Sequence, residues 1–348
     1  MSAMLVRLSS CMGSTRIPFL AAANDSGRVW KRNVDCHVTA ERFGGARLFR
    51  GGVKMDPEVA AYVEVVRECN SGYHQTDELL KFSVGAAHVG YVTPEFGGQL
   101  AEFPDVFKFD PSMLSFEVNP VLSTPQERTK AVGGVMQTLR ERGLMNGWRN
   151  ELYPITQNFH DDPLLLVERV AAVKLGVKAY GVHINGYTYK DGQLHMWVAR
   201  RSKNKPTWPS LLDHIAAGGQ PFGLGCRENV IKECEEEASI PKELAEKAIS
   251  SGVVTYSQRQ EDGIKRDVLF VYDLELPSDF IPTPLDGEVE EFMLWPISKV
   301  ADIIRNTREY KPNCALVIID FFIRRGVITP DQSGYLQLVE GLRAGDCS

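Results

Sequence analysis

Gly218–Ile240 reads GGQPFGLGCRENVIKECEEEASI, and the placement of its charges decides how the rest of the chain is read. A loop carrying Gly218, Gly219, Pro221, Gly223 and Gly225 runs into a segment where Val230, Ile231, Cys234 and Ala238 recur at helical spacing, giving one face for a core. Glu233, Glu236 and Glu237 fall at i, i+3 and i+4, so three carboxylates share one helical surface. Like charges at that spacing oppose an isolated helix by roughly 0.2–0.5 kcal/mol per pair. A bound divalent cation would remove the opposition. Oxygen-only ligands suit Mg²⁺ or Mn²⁺ better than Zn²⁺, and Mg²⁺ is usually held by few carboxylates together with substrate phosphates. The alternative is a solvated acidic face, which is what charge runs commonly are.

The stretch resembles the Nudix box, a loop–helix–loop opened by Gly and closed by Arg-Glu-apolar-any-Glu-Glu-any-Gly-apolar. Gly218 opens it here, and Lys232-Glu233-Cys234-Glu235-Glu236-Glu237-Ala238-Ser239-Ile240 closes it. Leu224 stands where the family has an upstream Glu, Lys232 replaces Arg, and Ser239 replaces Gly. The first two remove an ion pair that braces the loop, leaving Leu224 to brace it by packing. Ser239 must leave the helix without glycine's freedom at positive φ. The metal-binding positions of the resemblance, Glu233, Glu236 and Glu237, are all filled.

The chain has 348 residues, 43% hydrophobic and 24% charged, enough for two domains of an ordinary globular protein. A net charge of −6 gives no overall field for nucleic acid, so no nucleic-acid partner is expected. Seven scattered cysteines without C-x-x-C spacing fit a reducing compartment. No apolar run is long enough to span a bilayer. Before Asp25 the sequence has Arg7, Arg16, several Ser and no acidic residue. Residues 1–49 therefore read either as a transit peptide, implying mitochondrion or plastid, or as a plain tail on a cytoplasmic protein.

Within 50–160, Asp56-Pro57-Glu58 and Thr124-Pro125-Gln126-Glu127 are helix starts, and Leu80–Val84 and Ala87–Thr93 are short strands. No nucleophile and base come together there. HVGYVTPEFGGQLAEFPDVF and RNELYPI are similar to the extra N-terminal domain of thiamin-pyrophosphokinase-related Nudix proteins. The resemblance runs from about Tyr62 to about Gly341 and includes GVHINGY, WVARRSKNKPTWP and LLDHIAAGG. It implies an α/β (α+β) fold: a smaller α+β accessory domain at 50–160, a Nudix α/β/α sandwich at 165–325, and a C-terminal helix and tail at 326–348. The kinase domain that some relatives carry has no counterpart, so kinase activity is not expected.

In the second domain, Val177–Tyr187 and Leu194–Ala199 read as strands, Pro241–Ser251 as a short helix, and Val253–Arg259 with Val268–Leu276 as a hairpin. Pro296–Arg308, Asn313–Arg325 and Thr329–Leu342 read as helices. Arg200 and Arg201 begin a basic cluster that is either solvated loop or a diphosphate contact. Trp208 either packs or stacks on a substrate ring. Asp286-Gly287-Glu288-Val289-Glu290-Glu291-Phe292 is a second acidic cluster, and the sequence leaves open which of Glu288, Glu290 or Glu291 points inward. His183 and His214 read as structural.

The resemblance implies a Mg²⁺- or Mn²⁺-dependent hydrolase of a small-molecule diphosphate. Its expected substrate is thiamin diphosphate or an oxidised or damaged analogue, cleaved to the monophosphate plus phosphate as metabolite repair. Glu233, Glu236 and Glu237 are the expected metal ligands, Glu236, Glu237 and Glu288 the catalytic set, and Gly218, Gly219, Arg200 and Arg201 the diphosphate contacts. One alternative substrate is an oxidised nucleoside diphosphate such as 8-oxo-dGDP. An alternative of another class is a non-catalytic module that binds a diphosphate or a protein, favoured by Leu224 and Ser239 and opposed by the intact glutamates.

Overall fold

A computed structural model describes residues 54–72, 78–261 and 263–345; the tail at 1–49 and the hairpin residue Asp262 lie outside them. In chain order the elements begin α1 (Pro57–Cys69), β1 (Leu80–Val84), β2 (Ala87–Val92), α2 (Pro94–Leu100), β3 (Phe107–Asp110), β4 (Ser115–Val118) and α3 (Pro125–Glu141). They continue β5 (Leu152–Ile155), β6 (Leu165–Glu168), α4 (Ala171–Lys174), β7 (Lys178–Lys190), β8 (Gln193–Arg201), β9 (Leu212–Asp213), β10 (Ala216–Gly219), α5 (Cys226–Ala238) and α6 (Lys242–Ala245). The last are β11 (Ile249–Gln260), β12 (Gly263–Glu275), β13 (Val289–Pro296), α7 (Ile297–Asn306), α8 (Pro312–Arg324) and α9 (Tyr335–Gly341).

Local chemistry sets the helix starts. Asp56 accepts the amides of Glu58 and Val59 at 2.9 and 3.2 Å, and Pro57 follows it. Thr124 and Glu127 form a reciprocal capping box ahead of α3. We expect Asp56→Ala to lower the free energy of unfolding by about 1 kcal/mol. Denaturant titration reads this directly, and an unshifted midpoint would mean the cap contributes nothing.

The small sheet runs β2-β1-β4-β3, with β1 and β4 parallel, and packs with α2, α3 and the β5–β6 pair around Phe82, Phe116, Met136 and Leu139. The large sheet runs β11-β12-β7-β8-β13, with β10 added to β7 and β9 to β8. β7 and β12 pair in parallel at its centre and are buried on both faces. Val177–Tyr187, whose sequence alternates with Tyr180, Val182, Ile184 and Gly186 on one face, is therefore covered on its other face as well.

Helices cover both faces of that sheet. On one side Tyr187, Met196, Val198 and Val271 meet α1, α7, α8 and α9; on the other Val182, Ile184, Trp197 and Leu274 meet α5 and α6. The fold is thus a mixed α/β/α sandwich with a smaller α+β part before it. α8 is buried over nearly its whole length, as its apolar sequence requires.

The expected helix at Pro241–Ser251 is only one turn, because Ile249–Gly252 already pairs with Val271–Asp273 and begins β11. The third C-terminal helix is likewise shorter than Thr329–Leu342, starting only after Gly334 at φ 101°. Among the described residues no helix is long and apolar enough to cross a membrane.

Candidate active site

α5 is set by its buried stripe. Val230, Cys234 and Ala238 face Val182, Ile184 and Ile215 with no exposed surface, which fixes the rotation of the helix and so the direction of each glutamate. β10 runs beside it, and its glycines are required by close approach. A Cβ on Gly218 would lie 2.2 Å from the Glu233 carboxyl, and one on Gly219 1.6 Å from the Tyr153 hydroxyl.

The loop between β10 and α5 is braced by amides. Asn229 Nδ2 donates to the Gly219 carbonyl at 2.7 Å and to Gln220 Oε1 at 3.1 Å, while Gln220 Nε2 donates to the Leu224 carbonyl. These bonds stand where an ion pair was missing, so it is the Leu224 backbone, held by Gln220, that ties the loop. Lys232 bonds Glu233 at 3.1 Å and Glu236 at 2.8 Å and offsets their charge. Ser239 takes the left-handed conformation, φ 52°, that the missing glycine demanded, and its hydroxyl donates to the Thr283 carbonyl at 2.9 Å.

The glutamates do not act as one row. Glu236 is exposed and turned toward Lys232. Glu233 is largely buried, and burial raises its pKa. Glu237 Oε2 accepts the Ala217 amide at 2.9 Å. Burial, together with the charges of Asp213 and Glu233, pushes its carboxyl well above the ordinary range. Carboxylate oxygens of Glu237, Asp286 and Glu288 lie within 4.8 Å of one another. Although burial works in the other direction, Lys205 holds the Glu288 pKa down. Glu290 and Glu291 are exposed, so Glu288 is the member of its cluster that turns inward.

These groups line a cavity of about 660 Å³, which Gly218, Gly219, Arg201, Lys205 and Trp208 also line. Trp208 is 38% exposed and stands at this cavity rather than in the core. Arg201 is bound on three sides, by Asp213 Oδ2 at 2.6 Å and the carbonyls of Trp208 and Thr207. Arg200 is not among the lining residues; it pairs with Glu291 at 3.2 Å and the Ser210 carbonyl at 3.1 Å. His183 and His214 are buried and hydrogen-bonded to each other at 3.1 Å. Burial pushes both pKa values down, His214 to about 4.

The sequence reading missed Asp286 and Lys311. Asp286 opens an acidic cluster in which only the glutamates drew attention. Lys311 precedes the helix-starting Pro312 and carried no local signal, yet it reaches the cavity from α8.

Residues 61–179 match a family described as Domain of unknown function (DUF4743). Over 291 residues the chain is 45% identical to Nudix hydrolase 24, chloroplastic, of Arabidopsis thaliana, covering 84% of this chain and 80% of that protein. Over 298 residues it is 44% identical to Nudix hydrolase 20, chloroplastic, of the same plant, again covering 84% and 80%. Among solved structures, the NUDIX domain of Shewanella oneidensis NrtR complexed with ADP ribose is 17% identical, with a TM-score of 0.34, covering 44% of this chain and 90% of that one.

Proposed function

This chain belongs to the Nudix hydrolases, a family acting on phosphoric anhydrides, and from that premise we propose that it cleaves thiamin diphosphate, or an oxidised or damaged analogue of it, to the monophosphate and phosphate. The observation that carries the reading is the convergence of Glu237, Asp286 and Glu288 in a cavity whose other charged residues include Arg201, Lys205 and Lys311.

The donors fit a hard cation. All are carboxylate oxygens, and the burial that raises the Glu237 pKa, with the nearby charges of Asp213, Glu233 and Glu288, is what a Mg²⁺ or Mn²⁺ ion would offset. Glu237, Asp286 and Glu288 would hold it, with Glu233 adjacent on α5. Such an ion supplies a more acidic bound water and neutralises charge building on the phosphoryl oxygens.

The protein's own groups do the rest. The amide of Ala217 fixes Glu237 by one oxygen, and among the described residues the other oxygen accepts no hydrogen bond. Glu233 and Glu237, whose pKa values are raised, are the carboxylates suited to accept the proton of the attacking water. Glu288, kept ionised by Lys205, is better suited to holding a cation than to acting as base. Glu236, tied to Lys232 in solvent, balances charge at the rim. The glycines of β10, expected as diphosphate contacts, line the cavity but make room for the Glu233 carboxyl and the Tyr153 hydroxyl instead, while Trp208 offers a face on which a heteroaromatic ring can stack.

The relatives' names place those proteins in the chloroplast. Together with the acid-free, Arg- and Ser-containing run before Asp25, this favours organellar import over a cytoplasmic site for this chain.

Purified protein given thiamin diphosphate, its oxidised analogue and 8-oxo-dGDP with Mg²⁺ should release phosphate fastest from the thiamin compounds, and chelation should stop it. Phosphate release from the nucleotide alone would overturn the thiamin assignment.

A further inference from the structure

Lys311 is a cation with too little to bind. Its side chain is 17% exposed, and its one hydrogen bond among the described residues is to Asp213 Oδ2 at 3.4 Å. That same oxygen is already taken by Arg201 at 2.6 Å. One carboxylate therefore serves two cations. An ammonium has three donors, and an under-satisfied buried charge is costly unless an anion arrives.

Burial works most strongly against the charge on Lys311, but Asp213, Cys314 and Glu237 together outweigh it and hold the pKa above the ordinary lysine value. The other groups whose charge it feels most are Cys314, Arg201 and Glu237. Cys314 is held protonated, since burial and Asp213 push its thiol well up. Glu237 is the only carboxylate among them on the metal side of the cavity, so Lys311 lies within electrostatic range of the catalytic cluster.

Asn313 supports the same ligand. It is 6% exposed and lines the cavity, and among the described residues its Nδ2 donates to nothing. Both residues sit at the start of α8, where Pro312 has no amide hydrogen and the amides of Cys314 and Ala315 donate to the Lys311 carbonyl, so an anion there is met by the two side chains. The neighbours that feel the Lys311 charge, His183, His214 and Cys314, are at most 4% exposed. An unsubstituted terminal phosphate carries one more ionisable oxygen than a phosphodiester, so a cation with an amide donor beside it attracts the terminal group more strongly.

We propose that Lys311, with Asn313 beside it, receives the terminal phosphate of the substrate, whose extra charge it pairs, and so selects diphosphates substituted at one end only. This rests on the diphosphate-hydrolase reading above and names the substrate class within it.

The test uses the full chain with Mg²⁺ and titration calorimetry on three non-hydrolysable probes: methylenediphosphonate, its monomethyl ester and its P,P′-dimethyl ester. Wild type should bind the first two at least roughly tenfold more tightly than the third. Lys311→Gln should weaken the monomethyl ester by roughly ten- to hundredfold, the worth of one charge-assisted hydrogen bond, and level the difference between the esters. Lys311→Arg should recover most of it. Lys311→Gln should melt within a few degrees of wild type, because Asp213 keeps Arg201.

Equal binding of the two esters by wild type, no binding of any probe, or unchanged binding by Lys311→Gln would overturn the assignment. The ester comparison needs no variant, so it holds even if Lys311→Gln misfolds. Ester discrimination through Lys311 without phosphate release from any diphosphate would instead remove the hydrolase reading and leave this one standing. Phosphate release with an unaltered KM in Lys311→Gln would do the reverse.

Discussion

Glu237→Gln is expected to cut turnover on the order of a thousandfold or more while leaving the fold intact. The amide is nearly isosteric, and its oxygen can still accept the Ala217 amide at 2.9 Å, so the local geometry survives. What disappears is the charge that binds the cation and the group able to take a proton. Because burial and neighbouring carboxylates raise the Glu237 pKa, the wild-type residue is under electrostatic strain. A neutral side chain relieves it, and the melting temperature should hold or rise in the absence of metal.

The pH dependence follows with a definite sign. In the free protein Glu237 keeps its proton at pH values where an unfolded chain has lost it. Its contribution to stability is therefore lost as pH rises from the ordinary carboxylate range through the raised folded value. Activity needs the ionised form and should rise over the same interval. Added Mg²⁺ favours the carboxylate, so the acidic limb of kcat/KM should move to lower pH as the ion is titrated in. Turnover of Glu237→Gln within threefold of wild type would sink the assignment of this carboxylate.

Gly176→Ala is expected to cost about 3 kcal/mol or more, from a left-handed backbone and a backbone clash acting together. Gly176 has φ +58°, and a Cβ there would lie 2.2 Å from the Tyr91 carbonyl oxygen. Facing it, a Cβ on Gly90 would lie 2.2 Å from the Leu175 carbonyl oxygen. Between them the Tyr91 amide donates to Leu175 at 3.0 Å. Here β2 lies against the turn into the central strand β7, and neither backbone can move without the other. Gly85 has the same φ, +58°, and a methyl added there would have nothing within 4 Å, so Gly85→Ala isolates the backbone cost. Denaturant midpoints of the two variants that fall together would show that the close approach contributes nothing.

Much of this molecule could be read ahead of its structure because its signals are local. The caps at Asp56 and Thr124, the hairpin around Gly263 and the αL exit at Ser239 depend on a few consecutive residues. The difference in burial among the glutamates was also present but unread. Glu237 adjoins Ala238 and lies a turn from Cys234, whereas Glu236 is about half a turn away from the Val230–Cys234–Ala238 stripe and so faces solvent. By contrast, Asp286 and Lys311 come to the site from a loop and a helix start far along the chain. No spacing rule links them to α5. The one-turn α6 failed as an expected helix because strand pairing with β12 outweighed helical periodicity at Ile249–Gly252.

The seating of α1 has a bearing on how the chain is made. Val59 and Met55 close on Gly334, Val66 closes on Gly341, and Asn70 Nδ2 donates to the Gly341 carbonyl at 3.0 Å. The first helix of the described chain therefore finds its berth against β11, α7, α8 and α9, all far from it in sequence. During synthesis its apolar flank stays bare until those distant segments are made, so α1 is seated late, through contacts of high sequence separation.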